Sequence, residues 1–185
     1  KTISYFENLL KEEKKMKLKK KILCVGDLIL DSYSDGLVHR VSPEAPIPVL
    51  KVLKKDKFVM GGSGNVAKNI TAAGSHCHLI SVIGSDENGK ILKELCNLSD
   101  NLSYDLLIDP KRITTRKHRF VSGNQQILRV DSEFTDEVSL NIKTQIYNKI
   151  KSKINLFSVI VLSDYNKGVF SRDLVKKIIN LAKKK

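Results

Sequence analysis

The chain alternates short unbroken apolar runs with longer stretches in which apolar residues recur every three or four positions. Runs of the first kind lie at 22–25, 78–83 and 159–162. Continuous apolar runs mark strands buried on both faces, as in a parallel sheet covered by helices. Residues 104–108 read as a further strand, broken by Asp109-Pro110. Helical spacing covers 64–73, stopped at Gly74, and 87–98, with Ile91, Leu92 and Leu95 facing inward. It recurs over 138–154, where Ile142, Ile146, Ile150 and Ile154 stand four apart. Ser171 is placed to cap a last helix carrying Leu174, Ile178 and Leu181. Strands alternating with helices predict an α/β architecture, with 22–26, 78–83, 104–108 and 158–162 in one mainly parallel sheet.

Two stretches break this rhythm. Residues 37–58 hold Pro43, Pro46 and Pro48, then the alternating Val49, Lys51 and Leu53. Proline confines such a segment to edge strands or irregular extended chain. Residues 113–121 and 125–130 flank Ser122-Gly123-Asn124 and predict a hairpin. Together the two stretches predict a small β lid, formed by about 37–58 and 113–130, over a site. Residues 1–20 are charged, with Ile3, Phe6, Leu9 and Leu10 at helical spacing, and predict a basic tail or short amphipathic helix. Met16 is a candidate start of translation.

Composition sets the remaining bounds. A length of 185 residues suits one domain, and 41% hydrophobic residues suffice for a core. Trp is absent and aromatics are only 6%, so Ile, Leu and Val carry the packing. The net charge of +13 invites a nucleic-acid reading. Its distribution opposes one: residues 1–21 and 172–185 each carry +5, and the 150 residues between them only +3. Basic ends of this kind read as solvated helix faces. No apolar run approaches a membrane span, and the N-terminus lacks a signal-peptide pattern. Cys24, Cys77 and Cys96 fit neither a disulfide framework nor a zinc site, and imply a reduced cytoplasmic setting.

Polar groups and glycines gather at the ends of apolar runs, where open α/β sheets bind ligands. Asp27 and Asp31 follow the first run. A carboxylate at Asp31, where the chain is expected to turn, can accept hydrogen bonds from two neighbouring sugar hydroxyls; alternatively Asp27 caps a turn and Asp31 pairs with a basic residue. Gly61-Gly62-Ser63-Gly64-Asn65 opens a helix, where backbone N–H groups can face a ligand. It has neither the Walker spacing nor the dinucleotide fingerprint. Asn65 can place its amide on a hydroxyl or cap the helix. Lys117 and Arg119 share one face of their strand, and two cations there can hold a phosphate or simply face solvent. His39, His76, His78 and His118 show no metal spacing, and no metal site is expected.

Five segments taken together resemble the N-terminal part of ribokinase-like (PfkB) sugar kinases, in particular the heptose-7-phosphate kinase domain of the enzymes that make ADP-heptose for lipopolysaccharide. They are Gly26-Asp27 with Leu30-Asp31; the run from Arg40 to Val49 with Ser42-Pro43-Glu44-Ala45-Pro46; Gly61-Gly62 with Asn65-Val66-Ala67; Asn124-Gln125-Gln126 with Arg129 and Asp131; and Leu162-Ser163-Asp164-Tyr165 with Lys167-Gly168. The resemblance runs from about Lys21 onward. It implies a three-layer sandwich with a mostly parallel sheet and a β lid. It implies a sugar site at Asp31, Gly61, Gly62 and Asn65, phosphate contacts at Lys117 and Arg119, and organising roles for Asp27, Asn124, Gln126, Asp164 and Lys167. ATP and Mg2+ are the cofactors it implies for the complete kinase. A sugar phosphate is the expected partner, with a homodimer formed through the lid, and neither nucleic acid nor membrane. Such kinases take their catalytic base and anion hole from a Gly-Ala-Gly-Asp segment in their second half, which this sequence does not contain. The expectation is therefore the sugar-binding part of a kinase, completed by a separate C-terminal half. The alternative is a catalytically silent sugar-phosphate-binding or interaction module, left by a truncated gene.

Overall fold

The computed structural model describes residues 20–184, so the expected N-terminal tail or helix lies outside the described residues. The chain opens with β1 (Lys21–Gly26), whose Leu23, Cys24 and Val25 are wholly buried. Three more strands join it in parallel: β5 (His76–Ile83) and β9 (Val159–Ser163) on its two sides, and β6 (Leu102–Ile108) beyond β5. The order is β6-β5-β1-β9, so the four apolar runs of the sequence form one parallel sheet.

Both faces of this sheet are covered, which is why its strands are apolar without alternation. On one face α1 (Ser63–Ala72) and α2 (Glu87–Asn97) bring Ala67, Leu92 and Cys96 onto Cys24, Cys77 and Leu79. On the other, α3 (Leu140–Lys153) and α4 (Arg172–Lys183) bring Ile142, Ile146, Ile150, Leu174 and Ile178 onto Leu23, Val25, Ile80 and Val82. Successive residues of β1 thus belong to opposite cores, as the strand period of two requires. Asp86, Ser139 and Ser171 accept backbone N–H groups of the first turns of α2, α3 and α4, ending each preceding loop. Leu156 and Val159 stay exposed where the chain enters β9.

A second sheet is built around one long strand, β2 (Leu28–Val41), which starts a single residue after β1 ends. Its first half pairs antiparallel with β4 (Lys57–Gly62), and its second half with β3 (Pro48–Val52). Along its other edge runs β7 (Arg116–Ser122), in parallel, and β7 pairs antiparallel with β8 (Gln125–Ser132). This sheet begins at Leu28, well before the proline-rich stretch that the sequence marks out. Asp31 consequently sits inside a strand and not at a chain turn, because β2 continues straight on from the β1 edge instead of folding back. Pro43 and Pro46 fall in the loop between β2 and β3, and Pro48 opens an edge strand, where no ladder donor is needed.

A buried polar group interrupts the α3 side of the core. His78 on β5 contacts Asp105 through Nε2 (2.9 Å) and Ser103 through Nδ1 (2.7 Å). Lys149 and Lys153 of α3 reach the same carboxylate at 2.9 and 3.1 Å. Burial alone would raise the Asp105 pKa, but hydrogen bonds from Lys149, His78 and Lys153 outweigh it and hold the carboxyl well below its usual range. Burial pushes the His78 imidazole down, the Asp105 bond opposes this, and the Lys153 charge adds to the lowering. Both groups have folded values below their unfolded ones. Each therefore contributes stability at neutral pH that is lost in acid, His78 as pH falls below about 6.5 and Asp105 below about 3.8. Urea unfolding at pH 7, 5 and 3 should show Asp105→Asn less stable than the parent at pH 7, with the gap closing towards pH 3. A gap that did not change with pH would contradict this origin of the stability.

Candidate functional site

Residue 27 stands between the two sheets, and each of its polar groups is bonded to a different part of the chain. Its N–H donates to the Ser163 carbonyl at the end of β9 (3.1 Å), and its carbonyl accepts the Ser63 N–H at the start of α1 (2.8 Å). The Asp27 side chain, 1% exposed, accepts the N–H groups of Tyr165 (2.7 Å), Lys167 (3.2 Å) and Val169 (3.2 Å). Asp27 is therefore no local turn cap; it ties down the loop that leaves β9. Arg112, also buried, donates to the carbonyls of Lys167 (2.6 Å) and Phe134 (3.1 Å). Gly168 completes the wrap. Its φ is +81°, and a Cβ there would lie 2.0 Å from the Asp136 carbonyl oxygen, so no other residue fits without displacing backbone.

Held in this way, Tyr165 faces a cavity of about 500 Å³ between the second sheet and α1. Ile29, Asp31 and Tyr33 line it from β2, and Gly61 and Gly62 from β4. Asn65 and Lys68 line it from α1, one helical turn apart. Lys117 and Arg119 enter from β7, and Arg129 from β8. The structure thus brings six expected residues, Asp31, Gly61, Gly62, Asn65, Lys117 and Arg119, to one cavity.

The glycines of this turn serve close packing. A Cβ at Gly61 would meet the Asp31 carboxylate at 2.1 Å, and one at Gly62, where φ is +56°, the Asp27 carbonyl at 2.3 Å. The Ser63 N–H is already spent on Asp27. The turn is therefore no open cradle for a nucleotide's phosphates, and no group of three metal-ligating side chains gathers among the described residues. What these residues offer does not fit ATP with its Mg2+. Asn65 lies inside α1 and does not cap it, since Gly62 is the capping residue.

The charges of the cavity are paired across strands. Arg119 Nη1 bonds Asp31 Oδ1 at 2.5 Å and stacks over the Tyr33 ring at 5.3 Å. Burial would lower the Arg119 pKa, but Asp31 outweighs it and raises it. On β8, Asp131 accepts from Arg129 Nε at 2.9 Å and lies 3.4 Å from Lys117 Nζ. Burial disfavours the Asp131 charge, yet Arg129 and Lys117 together hold its carboxyl below the usual range.

Other expected site residues lie elsewhere. Asn124 is in the β7–β8 turn and Gln126 near the start of β8, both exposed and away from the cavity walls. Asp164 accepts the Asn166 N–H and faces a separate cleft with Glu137 and Arg172. The Lys167 ammonium pairs with Glu133 at 2.7 Å, and its N–H donates to Asp27. Four contributors went unread as site residues: Tyr33, Lys68, Arg129 and Tyr165. The helical spacing from Asn65 to Lys68 was a usable signal. Arg129 was hidden by a bulge. Val121 pairs with Gln126 but Phe120 with Leu128, so Ile127 is an extra residue in β8. That shift moves Arg129 and Asp131 onto the face of Arg119 and Lys117.

Comparison with known proteins bears on this arrangement. The profile of the pfkB family carbohydrate kinases matches residues 19–185. The chain belongs to that family. Among curated relatives, this pfkB-family chain is 42% identical to the bifunctional protein HldE of Helicobacter pylori (strain J99 / ATCC 700824) over 165 residues, which covers 89% of the chain and 35% of that protein. It is 39% identical to HldE of Aliarcobacter butzleri (strain RM4018), covering 90% of the chain and 35% of that protein. Among solved structures it superposes on Escherichia coli phosphofructokinase-2 in complex with fructose-6-phosphate with a TM-score of 0.64 at 17% identity. A carbohydrate kinase from Agrobacterium tumefaciens gives 0.63 at 16%. Each of these alignments covers 89% of the chain and about half of the solved structure. The fold is ribokinase-like, with a mostly parallel central sheet, and the chain spans about a third of the curated relatives it matches.

The Asp27 clamp can be tested apart from any ligand. Asp27→Ala would leave three N–H groups without their acceptor, at about 1–3 kcal/mol for the buried one at Val169 and less for the part-buried ones at Tyr165 and Lys167. The expected result is a large loss of stability to urea, with faster amide hydrogen exchange at Tyr165, Lys167 and Val169. Asp27→Asn, which keeps one acceptor oxygen, should lose less. Unchanged exchange at these three amides would show that the clamp does not hold the loop.

Proposed function

We propose that this chain is the sugar-binding part of a carbohydrate kinase acting on heptose 7-phosphate, in the synthesis of ADP-heptose for lipopolysaccharide. The observation that carries the reading is the single cavity in which Asp31, Asn65 and the Gly61–Gly62 turn meet a wall of cations. Family membership supplies the reaction class, and the similarity to HldE proteins, joined to the Ser-Pro-Glu-Ala-Pro and Ser-Asp-Tyr segments, supplies the sugar.

In this reading the Asp31 carboxylate accepts hydrogen bonds from sugar hydroxyls while Arg119 fixes its orientation. Asn65 reads a further hydroxyl, and the absence of a Cβ at Gly61 leaves room for the Asp31 carboxylate that the sugar meets. The basic wall, with Lys117 and Arg119, balances the sugar's phosphate. ATP with Mg2+ supplies the phosphoryl group in the complete kinase. The described residues of this chain bind and orient the acceptor, and the second sheet closes over it as a lid and carries a homodimer contact. The setting is cytoplasmic; no helix among the described residues is long and apolar enough to cross a membrane.

Calorimetric titration with heptose 7-phosphate tests the assignment. Hydrogen bonds to a charged group contribute about 1.5–3 kcal/mol, so Asp31→Ala should weaken binding by tenfold or more and Asn65→Ala by less. Titration curves unchanged by Asp31→Ala would remove the central residue of the proposal.

A second reading, a sugar-phosphate-binding module without catalysis, draws on one observation. The one carboxylate that lines the cavity among the described residues, Asp31, is engaged by Arg119 and so is poorly placed to take a proton from an attacking hydroxyl. Both readings expect the 185-residue chain alone not to turn over ATP with heptose 7-phosphate and Mg2+ in a coupled assay. They diverge when a C-terminal kinase half is added in trans: activity appears under the first and stays absent under the second. Steady turnover by the chain alone, lost in Asp164→Ala, would overturn both.

A further inference from the structure

The cations of the cavity are not equivalent. Lys68, Lys117, Arg119 and Arg129 line it, while the carboxylates that reach them are Asp31 and Asp131. Arg119 is paired with Asp31, and Lys117 lies against Asp131. Arg129 uses its Nε on Asp131, and its two terminal nitrogens have no protein partner among the described residues. Lys68 has no carboxylate partner among the described residues either. The cavity therefore carries two positive charges in excess: one on Lys68 of α1, the other shared by Lys117 of β7 and Arg129 of β8, which both reach Asp131. A phosphomonoester carries close to two negative charges at neutral pH.

We propose that Lys68 and Arg129 are the residues that select a phosphorylated sugar. The phosphate is gripped between the α1 ammonium and the free edge of the Arg129 guanidinium. Lys68 lies one helical turn beyond Asn65, so an amide reading a hydroxyl and an ammonium reading the phosphate share one face of α1. Arg129 is suited to its part because its fork can bind Asp131 through Nε and offer the remaining N–H groups to phosphate oxygens. Since α1 packs on the central sheet and β8 is the outer strand of the second sheet, a phosphate held by both also ties the hairpin down over the ligand. This assignment rests on the sugar-phosphate reading of the cavity and adds to it the residues that confer preference for the phosphate.

The test uses the full chain and three probes: heptose 7-phosphate, unphosphorylated heptose and inorganic phosphate. Lys68 is exposed on a helix, so Lys68→Met keeps length and helical fit. Arg129→Gln keeps Asp131 paired with Lys117. Each substitution should weaken heptose 7-phosphate binding by about tenfold or more, flatten its salt dependence, and leave binding of unphosphorylated heptose within about twofold. Each should likewise weaken inorganic phosphate. Heptose 7-phosphate bound equally well by the parent and by Lys68→Met would overturn the proposal and leave the heptose assignment standing. Equal weakening of the phosphorylated and unphosphorylated sugars would also overturn it, because Lys68 would then be serving the ring. Inorganic phosphate bound by the parent and lost in Lys68→Met, with neither form of heptose bound, would uphold the phosphate site and overturn the heptose assignment. No binding of any probe by the parent chain would overturn both.

Discussion

A buried carboxylate wrapped by backbone N–H groups holds the two halves of this molecule in register. Asp27 accepts the N–H groups of Tyr165, Lys167 and Val169, and the buried Arg112 adds its positive charge nearby. Charge-assisted bonds of this kind are stronger than neutral ones, and an unpaired buried carboxylate would be costly. The arrangement is therefore nearly all-or-none: either the loop after β9 wraps the carboxylate, or Asp27 cannot stay buried. The same residue follows β1 directly, and its successor begins β2. Ser81 of β5 brackets the junction, donating to the Gly26 carbonyl and accepting the Leu28 N–H. The angle at which the second sheet leaves the central one, and hence the mouth of the cavity, is fixed at this point.

From that junction the cavity follows by strand geometry. The two-residue period places Asp31 and Tyr33 on the face opposite Leu30, Ser32 and Ser34, and the parallel register with β7 sets Lys117 and Arg119 beside them. The reverse face shows what the alternation excludes. There Arg116 bonds Ser32 at 2.8 Å and Asp56 at 3.2 Å, and His118 contacts Ser34 at 2.7 Å. Two adjacent basic residues, Arg116 and Lys117, thus serve different surfaces. A one-residue slip of β7 would exchange them and empty the cavity of its charge pattern.

The electrostatics of the cavity depend on which cationic donors are spent on carboxylates and which are left over. Arg119 and Lys117 keep carboxylates in place, which preorganises acceptors for hydroxyls without leaving those carboxylates as isolated negative charges. Lys68 and Arg129 retain unspent donors. A site so divided can read an uncharged ring and a charged tail with separate groups, and changes at one end need not disturb the other. The bulge at Ile127 makes this division available, because without it Arg129 and Asp131 would face the side of His118.

The sequence by itself determined the layers. Runs such as 22–25 and 78–83 are too apolar to tolerate water on either face, and isoleucines four apart in 138–154 can only be one stripe of a helix. Those patterns are local, so the central sheet, its helices and the Ser122–Asn124 hairpin were legible, while the grouping of Asp31, Asn65, Lys117 and Arg119 followed from the resemblance to sugar kinases. Tertiary structure alone decided what depends on register or on distant partners. Asp27 meets groups some 140 positions away, and no local spacing could assign it three backbone donors. Asp31 became a strand residue because β2 runs on past the junction. Arg129 joined the site through a bulge that hydrophobic alternation does not encode, and Lys167 found its carboxylate partner in Glu133, 34 positions away. Periodicity specifies which face of an element is buried; only the packed chain specifies which charges that face will meet.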